Sequence, residues 1–170
     1  MKIELAKTEI IHFIGIGGIG MSGLSLIMRG KGLKVQGSDI SLNKNIERLK
    51  KEKIKVFIGH KKQNLQKATI VVISSAIKKN NPEVIEAKKK NLSIISRGKM
   101  LAHIVSLTKN IVVVGSHGKT TTTSLVTSIF QKTKLDPTII NGGVINSIRN
   151  TAKLGKSDWS ILEADESDGS

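Results

Sequence analysis

The chain has 170 residues, 38% of them hydrophobic, and a formal net charge of +15, which allows a buried core and excludes a globally disordered chain. It contains no cysteine, excluding disulfides and thiolate chemistry, and no tyrosine, and its 2% aromatic content leaves few platforms for stacking bases. Its lysines are scattered, as in Lys50-Lys51-Glu52-Lys53 and Lys88-Lys89-Lys90. They read as solvated faces, so no nucleic-acid partner is expected.

Short apolar runs and helical patterns alternate along the chain. Ile10 to Ile14 reads as a buried strand, Met21 to Gly30 as a helix, and Leu33 to Gly37 as a second strand. Asn45 to Glu52 is helical, Val56 to Ile58 a third strand, and Ala68 to Ile73 a fourth that ends in Ser74-Ser75. Pro82 suits the first turn of a helix reaching Lys90. Ser93 to Ile95 is a fifth strand, followed by a helix from Gly98 to Ser106. The pattern then restarts with a strand at Ile111 to Val114, a helix from Lys119 to Lys132, and strands at Thr138 to Ile140 and Trp159 to Leu162. This alternation predicts an α/β fold with a Rossmann-like parallel sheet over residues 1–107. The start of a P-loop-type α/β domain is expected over 108–170. That second unit is shorter than a usual domain, and the expectation is of an incomplete, inactive fragment. Runs such as Ile70-Val71-Val72-Ile73 are strand-sized, and Met1 to Lys7 lacks the apolar core of a signal peptide. No membrane partner and a cytoplasmic location are expected.

Two phosphate-binding loops of different kinds stand out. Gly15-Ile16-Gly17-Gly18-Ile19-Gly20 follows the first strand and opens a helix. Gly15 permits the turn, Gly17 lets backbone approach a diphosphate, Gly20 allows close packing, and the helix N-terminus attracts anions. Asp39, at the end of the second strand, is placed to accept hydrogen bonds from ribose hydroxyls. Any ligand with a diphosphate and a sugar suits this loop, and it does not by itself specify NAD. The second loop is Gly115-Ser116-His117-Gly118-Lys119-Thr120. Its backbone amides form a phosphate nest, Lys119 would reach the β- and γ-phosphates of ATP, and Thr120 would ligate Mg²⁺. The full P-loop pattern has a glycine five residues before Gly118; Val113 stands there, so the loop is shorter. In the acidic stretch Glu163 to Asp168, Glu163 and Asp168 are candidates to hold Mg²⁺. Among the histidines, His12 reads as a packing residue, His103 as a surface residue, His60 as a loop residue able to touch a ligand, and His117 as a neighbour of ATP. No catalytic triad or zinc spacing is legible.

Three motifs, in this order, resemble the Mur ligases: Gly15 to Gly23, Gly115 to Thr122, and Glu163 to Ser170. Ser74 to Ile77 and Arg97 with Met100-Leu101 also fit, although Gly98-Lys99 replaces the family's usual Ala-Glu. The resemblance implies a three-domain enzyme of peptidoglycan synthesis that uses ATP and Mg²⁺. Its implied reaction joins L-alanine to the carboxylate of UDP-N-acetylmuramate through an acyl phosphate. The implied UDP-sugar residues are Gly15, Gly17, Gly18, Ile19, Gly20, Asp39, Ser74, Ser75 and Arg97. The implied ATP residues are Gly115, Ser116, His117, Gly118, Lys119, Thr120 and Thr121. Lys119, Thr120 and Glu163 would act at the reacting phosphate, with Thr120 and Glu163 on the metal. The amino-acid site would lie outside this sequence. Alternatives are a ligase that adds a whole peptide to the same UDP-sugar, or an NAD(P)-binding regulatory or oxidoreductase domain, which would leave the second loop unexplained.

Overall fold

A computed structural model describes residues 5–145 and 150–164. Its first sheet is five-stranded and parallel, in the order β3-β2-β1-β4-β5. The strands are β1 (Ile10–Ile14), β2 (Lys34–Asp39), β3 (Lys55–Ile58), β4 (Ile70–Ile73) and β5 (Ser93–Ser96). The crossovers carry α1 (Ile19–Gly30), α2 (Lys44–Lys51), α3 (Pro82–Lys89) and α4 (Arg97–Val105), with a 3₁₀ turn at Lys62–Leu65 before β4. This is the expected Rossmann-like architecture. The order reverses between β1 and β4, and the crevice outside the strand ends at such a switch point is where ligands bind.

The period-two alternation of strands divides two apolar layers. Ile11, Phe13, Ile70, Val72 and Ile95 meet α1, α2 and α4 on one face. Ile14 and Val71 meet Leu65, Val84 and Ala87 on the other. Side chains fix the helix starts: Asn43 accepts from the Ile46 amide at 3.0 Å, and Asn81 from the Glu83 amide at 2.9 Å with Pro82 in the first turn. Helix α1 begins two residues earlier than the apolar pattern indicates, because Ile19 is half exposed and carries no periodic signal.

The second sheet has the order β6-β9-β7-β8. Its strands are β6 (Lys109–Val113), β7 (Thr138–Ile145), β8 (Asn150–Lys153) and β9 (Trp159–Glu163), with α5 (Lys119–Gln131) after β6. Strands β6, β9 and β7 are parallel, and β8 returns antiparallel to β7. Strand β8 is absent from the sequence-based expectation, since Asn150-Thr151-Ala152-Lys153 has no apolar run. Ile140, Ala152 and Leu162 join the core cluster of α1, so that helix is packed by both sheets.

A charged group lies inside the first unit. Glu83 on α3 is fully buried beneath the strand ends. Its Oε1 accepts from Asn64 Nδ2 and from the Lys61 amide at 3.3 Å. Its Oε2 accepts from Ser38 Oγ and lies 3.4 Å from both His12 Nε2 and His60 Nδ1. Gln36 bridges the back of the cluster, from His12 Nδ1 at 3.2 Å to the Asn64 carbonyl at 3.0 Å. Burial opposes the Glu83 charge, but the hydrogen bonds from His12, Ser38 and Asn64 and the attraction of His12 outweigh it. They hold the carboxyl below the ordinary glutamate range.

Removing the carboxylate strands these buried donors, so Glu83→Ala should cost about 3 kcal/mol, read by urea unfolding. A depressed folded pKa stabilises above the unfolded value and ceases to do so as pH falls through the folded one. The stability of the native chain should therefore fall as pH drops through and below the ordinary glutamate range, and Glu83→Gln should flatten that slope.

Candidate functional site

Strand β1 delivers the chain into Gly15, whose φ of +80° favours glycine. The amides of Gly15 and Ile16 both donate to the Ser38 carbonyl, at 2.8 and 3.0 Å. Asp39, at the end of β2, accepts from the Gly17 amide at 2.8 Å and from the Ile40 amide at 2.8 Å. Asn43 and Asn45 donate to the Gly17 carbonyl at 3.3 and 2.8 Å. A Cβ on Gly17 would lie 2.7 Å from Asn43 Nδ2 and 2.9 Å from Asp39 Oδ2, so that position has no room for a side chain.

The amides of Gly15, Ile16 and Gly17 are thus taken up by Ser38 and Asp39 of β2, and that of Gly18 by the Gly15 carbonyl. Helix α1 starts at Gly18 with no side-chain cap and no acid in its first turn, and the Ser22 amide bonds back to the Gly18 carbonyl. The first-turn amides from Ile19 onward precede that bond and point out of the helix end, which favours an anion. Arg97, opening α4, lays its guanidinium against Gly20. A cation beside the positive end of a helix adds to the same preference.

These elements bound a cavity of about 580 Å³. Gly15, Gly17, Gly18, Asp39 and Ser74 line it, as the sequence indicates for those residues. A smaller adjoining cavity of about 280 Å³ is lined by Ser74, Ser75, Ser96 and Arg97. Sequence reasoning passed over Ile40, Asn43, Asn80 and Asn81, and treated His60 as a loop residue; all five line the larger cavity. The available signal was position, because His60 follows a parallel strand on the edge where ligands bind. His12 is buried and hydrogen bonded, His103 is half-buried on α4, and His117 is exposed in its loop.

The second loop lies at the end of β6. Gly115 has φ +146° and Gly118 φ +75°, the latter as the left-handed N-cap of α5. A Cβ on Gly118 would meet nothing within 4 Å, so the cradle is open there. Lys119 Nζ donates to the Gly115 carbonyl at 2.7 Å, folding its charge over the loop. Strand β9 pairs with β6 so that Glu163 stands opposite Val113. Thr120 Oγ1 accordingly lies 3.2 and 3.1 Å from the two Glu163 oxygens. A hydroxyl and a carboxylate beside an anion nest form an oxygen donor set suited to Mg²⁺ and a polyphosphate. The other acidic candidate, Asp168, lies outside the described residues. Among the described residues, no helix is long and apolar enough to cross a membrane.

Comparison with known proteins identifies the family. A family model described as "Mur ligase family, catalytic domain" matches residues 10–109. The chain is 79% identical over 170 residues to a UDP-N-acetylmuramate–L-alanine ligase of Pelagibacter ubique, and spans all of this chain but 37% of that protein. Among solved structures, UDP-N-acetylmuramate:L-alanyl-gamma-D-glutamyl-meso-diaminopimelate ligase from Neisseria meningitides is 30% identical. It superposes with a TM-score of 0.84, over 93% of this chain and 53% of that one. UDP-N-acetylmuramate-alanine ligase from Thermotoga maritima is also 30% identical, with a TM-score of 0.80 over 90% of this chain and 36% of that one. The matched residues contain β1, its glycine loop and the crevice described above, and with them the chain belongs to the Mur ligase family.

Proposed function

We propose that this chain is the UDP-sugar-binding and ATP-phosphate-binding part of a cytoplasmic ligase of peptidoglycan synthesis. In the longer protein, L-alanine would be joined to the carboxylate of UDP-N-acetylmuramate. The observation that carries this reading is the pairing of two unlike phosphate loops, one ending β1 and one ending β6, the second with Thr120 against Glu163. An NAD(P)-binding domain needs only the first. The 79% identity to a named alanine ligase favours L-alanine over a peptide as the second substrate.

Each residue then has a task. The first-turn amides of α1 and Arg97 hold the UDP diphosphate. Asp39 keeps the glycine loop in shape through the Gly17 amide and retains carboxylate lone pairs for ribose hydroxyls. The loop from Gly115 to Thr121 cradles the triphosphate of ATP, and Thr120 and Glu163 hold Mg²⁺. Bound ATP supplies the phosphoryl group that turns the muramoyl carboxylate into an acyl phosphate, from which the amino group of L-alanine displaces phosphate. Lys119 leaves the Gly115 carbonyl for the phosphoryl oxygens and neutralises charge there.

We assign 1–107 to the UDP-sugar domain and 108–170 to the opening of the ATP domain. Support for the second assignment is its exposed apolar surface: Val112 at 47%, Val114 at 73%, Leu125 at 63% and Ile129 at 64%. A larger domain would cover such a face.

In the full-length protein, Lys119→Ala should abolish L-alanine-dependent phosphate release from ATP while UDP-N-acetylmuramate affinity stays within about twofold. Equal loss of both would contradict separate sites. Conversely, Gly17→Ala should weaken UDP-sugar binding by about tenfold or more, through the crowded Asp39 and Asn43, with ATP binding retained.

A further inference from the structure

We infer that the cavity between the C-terminal end of α1 and strand β8 is a second ligand site, which takes a small organic monocarboxylate with an apolar body. The inference goes beyond the two phosphate loops and does not depend on what they bind.

The cavity measures about 310 Å³ and lies on the seam between the two units. Ile27 and Gly30 of α1 wall it on one side, Ala152 of β8 and Leu154 on the other. A Cβ at Gly30 would overlap Leu154, so the two units touch directly beside it. Helix α1 has 12 residues, and at its rise per residue about 18 Å separates this end from the first turn that faces the anion site. The cavity shares no lining residue with the crevice at the strand ends.

Its charge decides what it takes. Arg29 and Arg48, in the last turns of α1 and α2, and Glu52, the C-cap residue of α2, line the same space. Two guanidiniums and one carboxylate leave one positive charge, which a single carboxylate on a ligand balances. Both helices present their negative C-terminal ends here, and the arginines offset that field. Arg48 is half-buried, and burial outweighs the attraction of Glu52, holding its guanidinium below the ordinary arginine range. It stays protonated, so an arriving anion would restore stabilisation that desolvation removes. A guanidinium also matches the two oxygens of a carboxylate. The rest of the wall is apolar, with Ile27 and Ala152 buried and Leu154 partly exposed, and suits a hydrocarbon body. Inorganic phosphate would leave that wall wet, and a neutral alcohol would leave the charge unbalanced.

The test follows this chain by nitrogen-15 NMR during titration with hexanoate, against hexanol, hexylammonium and acetate at equal ionic strength. Hexanoate should saturably shift the amides of Gly30, Glu52 and Leu154, and bind about tenfold more tightly than hexanol or acetate. Hexylammonium should give no saturable shift. Equal binding of hexanol would reduce the site to apolar contact and overturn the inference, as would the absence of saturable hexanoate binding. Arg48→Met, which keeps the packing of the side-chain stem, should weaken hexanoate about tenfold and leave hexanol unchanged. If that variant does not fold, Arg29→Met, at an exposed position, should show the same selective loss; hexanoate affinity unchanged in whichever variant folds would overturn the charge assignment. Leu154→Ala should weaken hexanoate from the other side of the seam, and unchanged affinity there would overturn the placement. Shifts at Gly17 and Gly18 in place of Gly30 would put the anion in the first crevice, overturning this inference and leaving the UDP-sugar reading intact.

Discussion

A carboxylate with no solvent exposure holds the crevice of the first unit together. Glu83 joins β1 through His12, β2 through Ser38, the 3₁₀ turn through Asn64, and the end of β3 through His60 and the Lys61 amide. Burying such a charge is costly, and it is tolerated here because donors converge on both oxygens. An apolar residue at that point would pack, but it would not set the spacing between four elements. The crevice floor is therefore polar, hydrogen bonded and rigid, a suitable base for reading a polar ligand.

Helix α1 is the second shared element. Its first turn faces the anion site, and its body is buried by the first sheet on one side and by β7 and β8 on the other. Gly30 at its end leaves room for Leu154, just beyond β8.

Much of this was legible in the sequence, for identifiable reasons. The alternation of apolar runs with helical patterns made the parallel sheet legible, because β1 and β4 are buried on both faces and are apolar throughout except for His12. The two loops were legible because glycine, lysine and threonine at those spacings have few other uses. Glu163 was legible from its place after a strand due to pair beside β6. What stayed hidden was long-range pairing. In sequence, Glu83 reads as an ordinary acid in a helix's first turn; only the fold brings it to His12, 71 residues away. His60 was legible as a loop residue able to touch a ligand, but its partners were hidden for the same reason, since Ser38 and Glu83 are 22 and 23 residues distant. The role of Asp39 shifted in emphasis: the sequence indicates a ribose contact, while its carboxylate also clamps the Gly17 and Ile40 amides. Strand β8 was hidden because only Ala152 of its four residues is apolar.

The central claim is that the first glycine loop serves a UDP-sugar and not a dinucleotide. Calorimetric titration of this chain with UDP-N-acetylmuramate, with NADH as the comparison, tests it most directly. The account predicts saturable binding of the UDP-sugar and none of NADH. Binding of NADH alone would contradict it and would leave the Gly115–Thr120 loop without a partner function.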